Sequence, residues 1–232
     1  MNLPSNPRAP IDAMIRQGDL EGLLRKAGEL HGHFCPYVAL GVRAGYLALT
    51  ALGIEQNLGM EEVLAIVETN NCFSDGIQVV TGCTFANNAL IYRDLGKTAV
   101  TVARRDGTAV RLVLRADYRD NFDARYPEAA ALFRKIVRER QQPTSEEHAR
   151  LTELWAETSA GQLDVPAEDL FTVQPQQIEV PAYAPILASA TCALCGESVM
   201  ESRARLVDGR PACLVCASAA VYQLDGAGVR VT

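Results

Sequence analysis

HGHFCPYVALGVRAGYLALTAL, residues 31–52, is the stretch on which the fold turns. Proline has a fixed φ and no N–H, so Pro36 marks the first position of a helix. Val38, Val42, Tyr46, Leu49 and Leu52 then recur at helical spacing and predict one buried face, which Gly53 ends. Just upstream, His31, His33 and Cys35 alternate, so in an extended segment their side chains would point to one side. Cys35 would then stand at a helix N-terminus, where the partial positive charge of the backbone favours thiolate.

The surrounding sequence supplies the rest of a mixed domain. Asp19 is placed to cap a helix running toward Leu30. Val63 to Val67 is a continuous apolar run and predicts a buried strand. Glu68-Thr-Asn-Asn-Cys72-Phe-Ser-Asp75-Gly follows it, with a helix expected from near Ser74 or Asp75 to Gly82, so Cys72 also falls at a helix start. Thr98 to Arg104 and Thr108 to Arg115, joined by Asp106-Gly107, predict a hairpin. Beyond Tyr126-Pro127 the pattern is helical in two segments, Glu128 to Gln141 and Thr144 to Ala160. Pro143 separates them, and Thr144 with Glu147 forms a capping box. Their charged faces, with His148, are expected to be solvated.

Val173 to Ile186 contains Pro175, Pro181 and Pro185 and is expected to be an extended connector. The division expected is a core domain with its helical extension over 1–172, a connector over 173–188 and a zinc finger over 189–232. The fold class is α+β, with a core of mixed helices and an antiparallel-containing sheet, followed by a small C-terminal treble-clef finger.

The chain has 232 residues, 48% of them hydrophobic, and a formal net charge of -6, which disfavours non-specific attraction to nucleic acid. Its seven cysteines and two of its three histidines fall into two groups. One is Cys192-x-x-Cys195 and Cys213-x-x-Cys216, a spacing that can supply four thiolates to one tetrahedral zinc. Gly196 allows the tight turn of a knuckle, Arg203 to Val207 and Asp208-Gly209 predict a hairpin, and Cys216 to Leu224 is expected to be the closing helix. A disulfide pair is the alternative. With no signal-peptide pattern and no apolar run long enough to span a membrane, the expected compartment is a reducing cytoplasm, which favours metal. From Cys192 onward, Arg203, Arg205, Arg210 and Arg230 are balanced by Glu197, Glu201, Asp208 and Asp225, so the finger has no basic excess for nucleic acid.

The other group is His31, His33, Cys35, Cys72 and Cys83. Two imidazoles with up to three thiolates suit zinc or another borderline divalent ion. The competing reading is that these cysteines are small buried apolar residues and the histidines bond the backbone. Asp75 is open to two roles, helix cap or acid/base.

HGHFCPYVALGVRAGYLAL (31–49), ETNNCFSDGIQVVTGCTF (68–85) and YRDLGKTAVTVARRDG (92–107) closely resemble the FmdE family of formylmethanofuran dehydrogenase proteins, many members of which carry a finger like SATCALCGESVMESRARLVDGRPACLVC (189–216) after the core. The resemblance implies an α+β core, a homodimer and a cleft lined by His31, His33, Cys35, Cys72, Asp75, Thr81 and Cys83. His31, His33, Cys35 and Cys72 are the expected core metal ligands; Cys72, Asp75, Thr81 and Cys83 are the candidate catalytic residues. Where many relatives continue with a Gly-Lys-Gly-Asn-like run, this chain has Phe85-Ala-Asn-Asn-Ala89 and lacks that lysine.

The chain has no ferredoxin-like cysteine run and no pterin-binding signature, so the formylmethanofuran dehydrogenase reaction is beyond it alone. The expected role is a metal-binding protein accessory to one-carbon or molybdoenzyme metabolism, with a molybdoenzyme or other protein as partner. The alternatives are an independent enzyme with a cysteine nucleophile, or a zinc-finger regulator.

Overall fold

Helix α3 (Pro36–Ala51) is the centre of the core, and its sequence explains why. Val38, Leu40, Val42, Ala44, Ala48 and Leu49 are all buried, so the helix is covered on nearly every side rather than along the single face expected. Each fully buried Leu or Val contributes roughly 1.5–3 kcal/mol of transfer free energy. Around α3 pack α2 (Leu20–His31), the later helices α4 (Phe73–Thr81) and α7 (Ser145–Leu163), and two strands of a sheet. The computed structural model describes residues 4–232 and divides them into two units, one ending at Pro181 and the other running from Ala182 to Thr232.

Before α2 lies α1 (Ala9–Gln17), which the sequence reading did not anticipate. Asp19 caps α2 as expected, its side chain accepting from the Gly22 N–H at 2.8 Å. Strand β1 (Val63–Val67) is buried at every position and sits inside a five-stranded sheet with β2 (Leu90–Tyr92), β3 (Ala99–Arg104), β4 (Thr108–Leu114) and β5 (Phe171–Gln177), in the order β2-β1-β3-β4-β5. The β1–β2 pairing is parallel and the others are antiparallel. The Asp106-Gly107 turn closes the β3–β4 hairpin, with Gly107 at φ 87°.

Two expectations change. The connector expected from Val173 first enters the sheet: residues 171–177 pair along the whole of β4, from Leu114 opposite Phe171 to Thr108 opposite Gln177. Pro175 had argued against a strand, but β5 is an edge strand, where a missing N–H on the outward side is tolerated. The single helix expected over Glu128 to Gln141 is instead α6 (Pro127–Phe133) continued by a π-helical turn, Arg134–Arg138. Ahead of it, α5 (Tyr118–Arg125) was not foreseen. The capping box of Thr144 and Glu147 opens α7, and α8 (Ala167–Leu170) leads into β5. No helix among the described residues is long and apolar enough to cross a membrane.

The second unit is three hairpins: β6 (Ser189–Thr191) with β7 (Ser198–Met200), β8 (Ala204–Val207) with β9 (Arg210–Cys213), and β10 (Tyr222–Asp225) with β11 (Gly228–Val231). The expected turn at Asp208-Gly209 is present, both residues having positive φ, 49° and 74°. The expected closing helix from Cys216 to Leu224 is not. After Cys213 the backbone makes one helix-like turn that Ser218, at φ 50°, brings to an end. Alternating Tyr222, Leu224, Val229 and Val231 around Asp225-Gly226-Ala227-Gly228 form a hairpin, a period-two signal that the alanine-rich start obscured.

Candidate metal centre

His31 ends α2 because Gly32 takes the left-handed conformation, φ 88°, and its N–H bonds to Gly28 O at 2.8 Å. The following turn is pinned by Phe34, whose ring lies where a Cβ on Gly28 would be, 2.5 Å away. Cys35, at φ −154° and ψ 157°, then leads into Pro36. The expected alternation along a single extended segment is thus replaced by a helix end and a left-handed turn. The outcome is still convergence: one ligand atom from each of His31, His33 and Cys35 lies within 4.8 Å of the others, and the two imidazole centroids are 4.4 Å apart.

The N-terminus of α4 supplies the other half. Asn71 Oδ1 accepts from the Phe73 N–H at 3.0 Å, and Ser74 Oγ donates to Thr69 O at 2.6 Å, fixing the start of the helix. This helix can press against α3 because Gly41 and Gly76 lack side chains; a Cβ on Gly41 would stand 2.0 Å from Phe73 O. Asp75, in the first turn, places Oδ2 2.7 Å from His31 Nδ1 and accepts from Gln78 through Oδ1 at 3.0 Å. A carboxylate acceptor there keeps the proton on Nδ1 and leaves Nε2 with its lone pair. That Nε2 is buried and has no hydrogen-bond partner among the described residues, as a ligand-ready imidazole nitrogen would be. Asp75 therefore orients a histidine, and it does so from the helix start.

Cys35 and Cys72, at the starts of α3 and α4, share one hydrogen bond. Donation from Cys35 lowers the Cys72 pKa to about 6 against the effect of burial. Cys35 is pushed up in turn, because it is the donor and is buried. Burial lowers the His33 pKa, which favours the neutral imidazole that a ligand must be.

A cavity of about 720 Å³ opens on His33, Cys35 and Cys72. Trp155 of α7 forms part of its wall and stacks on His33, with centroids 5.3 Å apart and planes inclined by 29°. Trp155 lies on α7, whose charged faces mark it in the sequence as solvated, so its place at the cavity is a finding of the structure. The usable signal was Leu151, Leu154, Trp155 and Thr158 at helical spacing, of which all but the half-buried Trp155 are buried. Thr81 and Cys83, by contrast, lie at the far end of α4 and do not line the cavity. Thr81 Oγ1 donates to Ile77 O at 2.7 Å. Cys83 is fully buried with Sγ 3.4 Å from Val63 O, and burial raises its pKa to about 11. The expected cleft is smaller than the resemblance implied by those two residues.

In the second unit, the sulfurs of Cys192, Cys195, Cys213 and Cys216 all lie within 4.8 Å of one another. The Gly196 N–H bonds to Cys192 O at 2.9 Å to close the knuckle, and the Cys213 N–H donates to Cys192 Sγ at 3.3 Å. Backbone amides, led by that of Cys195, lower the Cys192 pKa to about 6, while hydrogen bonding led by Cys213 pushes Cys216 up to about 12.

A family profile described as FmdE, molybdenum formylmethanofuran dehydrogenase operon, matches residues 30–172. The chain belongs to the FmdE family. Residues 185–222 of this FmdE-family chain match the prokaryotic dksA/traR C4-type zinc finger, in agreement with the four-cysteine cluster. A curated relative from Archaeoglobus fulgidus, named a probable S-adenosyl-L-methionine-binding protein, is 42% identical over 217 residues; the match takes in 92% of this chain and 57% of the relative, so the chain spans little more than half its length. The crystal structure of a tungsten formylmethanofuran dehydrogenase FmdE-like protein from Syntrophus aciditrophicus has the same fold, with a TM-score of 0.56 at 23% identity over 85% of this chain and 91% of that one.

Proposed function

We propose that the core of this FmdE-family protein is a metal-binding module accessory to one-carbon or molybdoenzyme metabolism, holding a divalent ion such as zinc between His31, His33, Cys35 and Cys72. The observation that carries the reading is the convergence of three ligand atoms within 4.8 Å around an imidazole whose free nitrogen is buried and unpartnered. The donor set, two neutral imidazoles with thiolates, fits zinc and other borderline ions. When bound, such an ion would supply Lewis-acid polarisation or an exchangeable ligand position beside the cavity. Asp75 holds the proton on His31 Nδ1, the shared Cys35–Cys72 hydrogen bond favours one anionic sulfur, and aromatic side chains line the cavity beside them.

Metal analysis tests this. Protein reconstituted under reducing conditions should carry two zinc equivalents per chain, and replacing His33 with Ala and Cys35 with Ser together should leave one. A single equivalent in the unaltered protein, removed only by changes in the finger, would defeat the reading.

The accessory role is supported by the operon description of the family, and its partner would be a molybdoenzyme or another protein. The assembly is proposed to be a homodimer; sedimentation equilibrium at a constant 25.1 kDa across micromolar concentrations would exclude it. A second reading, an independent enzyme with Cys72 as nucleophile, is favoured by the lowered Cys72 pKa and its place on the cavity. S-adenosyl-L-methionine, which the relative's name mentions, is a ligand to titrate against this cavity.

A further inference from the structure

A metal ion held at His33, Cys35 and Cys72 would take up only a small part of the cavity of about 720 Å³, a volume suited to a small organic molecule. Away from the cysteines the lining is aromatic, with Tyr37, Tyr118, Phe122, Phe133 and Trp155. Tyr118 stands edge-on to Tyr37, with centroids 6.1 Å apart, and is tilted against Phe122 at 5.9 Å, while Phe133 and Trp155 stand 6.5 Å apart as a second aromatic face. Such a lining gains most from a flat ligand that can lie against ring faces or edges.

Charge narrows the class further. Two arginines reach the cavity. Arg119 is committed, since its guanidinium is paired with Asp123 at 2.9 Å and lies 5.0 Å from the centre of the Phe133 ring. Arg138 is exposed at the rim of the cavity and has no ion pair among the described residues. It is the last residue of the π-helical turn, and that turn presents Val137 and Arg138 together to the cavity. Single π-helical turns recur at functional sites because the extra residue re-aims side chains. Two guanidinium groups disfavour a cationic ligand, while one unpaired guanidinium favours an anionic group in bidentate contact.

We propose that this cavity binds a small flat molecule bearing one anionic group, a carboxylate or a phosphate, with its ring against the aromatic wall and its anion on Arg138. The inference rests on reading the cavity as the cleft of the metal centre, and it names the class of molecule brought to that centre.

Isothermal titration calorimetry on the full, zinc-loaded chain with 1-naphthoate, 1-naphthyl phosphate and neutral 1-naphthalenemethanol tests it. One of the two anions should bind about two- to fivefold more tightly than the neutral compound, the difference that a contact to an exposed guanidinium supplies. The tighter of the two identifies carboxylate or phosphate. Arg138→Gln should erase the preference and leave the neutral compound unchanged, and Val137→Trp, which fills the cavity, should weaken all three. Trp155 is the only tryptophan, so its emission should change on saturation with the tighter anion. Equal affinities in the unaltered protein, a preference that survives Arg138→Gln, or binding that leaves Trp155 emission unchanged would each overturn the proposal. Zinc measured on the same samples separates the two ideas: anion preference with zinc only in the finger defeats the metal reading alone, whereas two zinc equivalents with no anion preference defeats this inference alone.

Discussion

Asp75 acts through His31, and that difference is measurable. Asp75→Asn keeps the size of the side chain but removes the charge that holds the proton on Nδ1, so core metal affinity should fall roughly 10- to 100-fold, the usual effect of losing a ligand's orienting carboxylate. The finger zinc should be unaffected; competition with a chromogenic chelator reads both sites. Cys72 gives a second prediction. Thiolate is the reactive form, so in metal-free protein its alkylation by iodoacetamide should rise through pH about 6, well below the range of an ordinary thiol. Cys35→Ala removes the largest cause of that shift, and the midpoint should move upward. A profile that does not respond to Cys35→Ala would show that the pair is not coupled. The chemistry of the residues was legible in HGHFCP and NNCFSD, because imidazole and thiol beside helix starts carry their own signal. The pairing of Asp75 with His31 was not, since 44 positions separate them and only the fold brings them to 2.7 Å.

Between elements, the closest packing is that of α3 on α4, where backbone meets backbone at Gly41 and Gly76. A Cβ at position 41 would stand 2.0 Å from Phe73 O, which no side-chain rotation relieves. Gly41→Ala should therefore destabilise the core by the ~1–3 kcal/mol of overpacking or more, despite the better helix propensity of alanine. Gly161→Ala is the contrast: its Cβ would meet only the Tyr126 hydroxyl, 2.5 Å away at the end of a movable side chain, so helix propensity should offset the contact. Thermal or urea unfolding of both variants checks the pair, and equal losses would refute the backbone argument. Helix α3, strand β1 and the β3–β4 hairpin were legible because their periodicity and turn residues agree with their burial. Strand β5 was not, because its proline reads as a breaker until the strand is known to lie at an edge.

For the whole molecule, the two units should separate in their stability. The segment Ala182–Thr232 exposes Leu206, Val215 and Tyr222 and has few buried apolar residues, so its order depends on the metal. Cys213→Ser should remove one zinc equivalent and unfold the finger, while the thermal transition of the core persists. Loss of the whole cooperative transition would show a single folding unit. The sequence by itself determined the two groups of cysteine and histidine, the α+β class and the family, because residue chemistry, periodicity and short motifs are local properties. Only the tertiary structure decided which of the candidate residues share a cavity. It turned Gly32 left-handed, placed Thr81 and Cys83 at the far end of α4 away from the cavity, and brought Trp155 and Arg138 to the site from distant later segments. Those choices depend on how buried faces of distant segments pack together, and no local pattern encodes them.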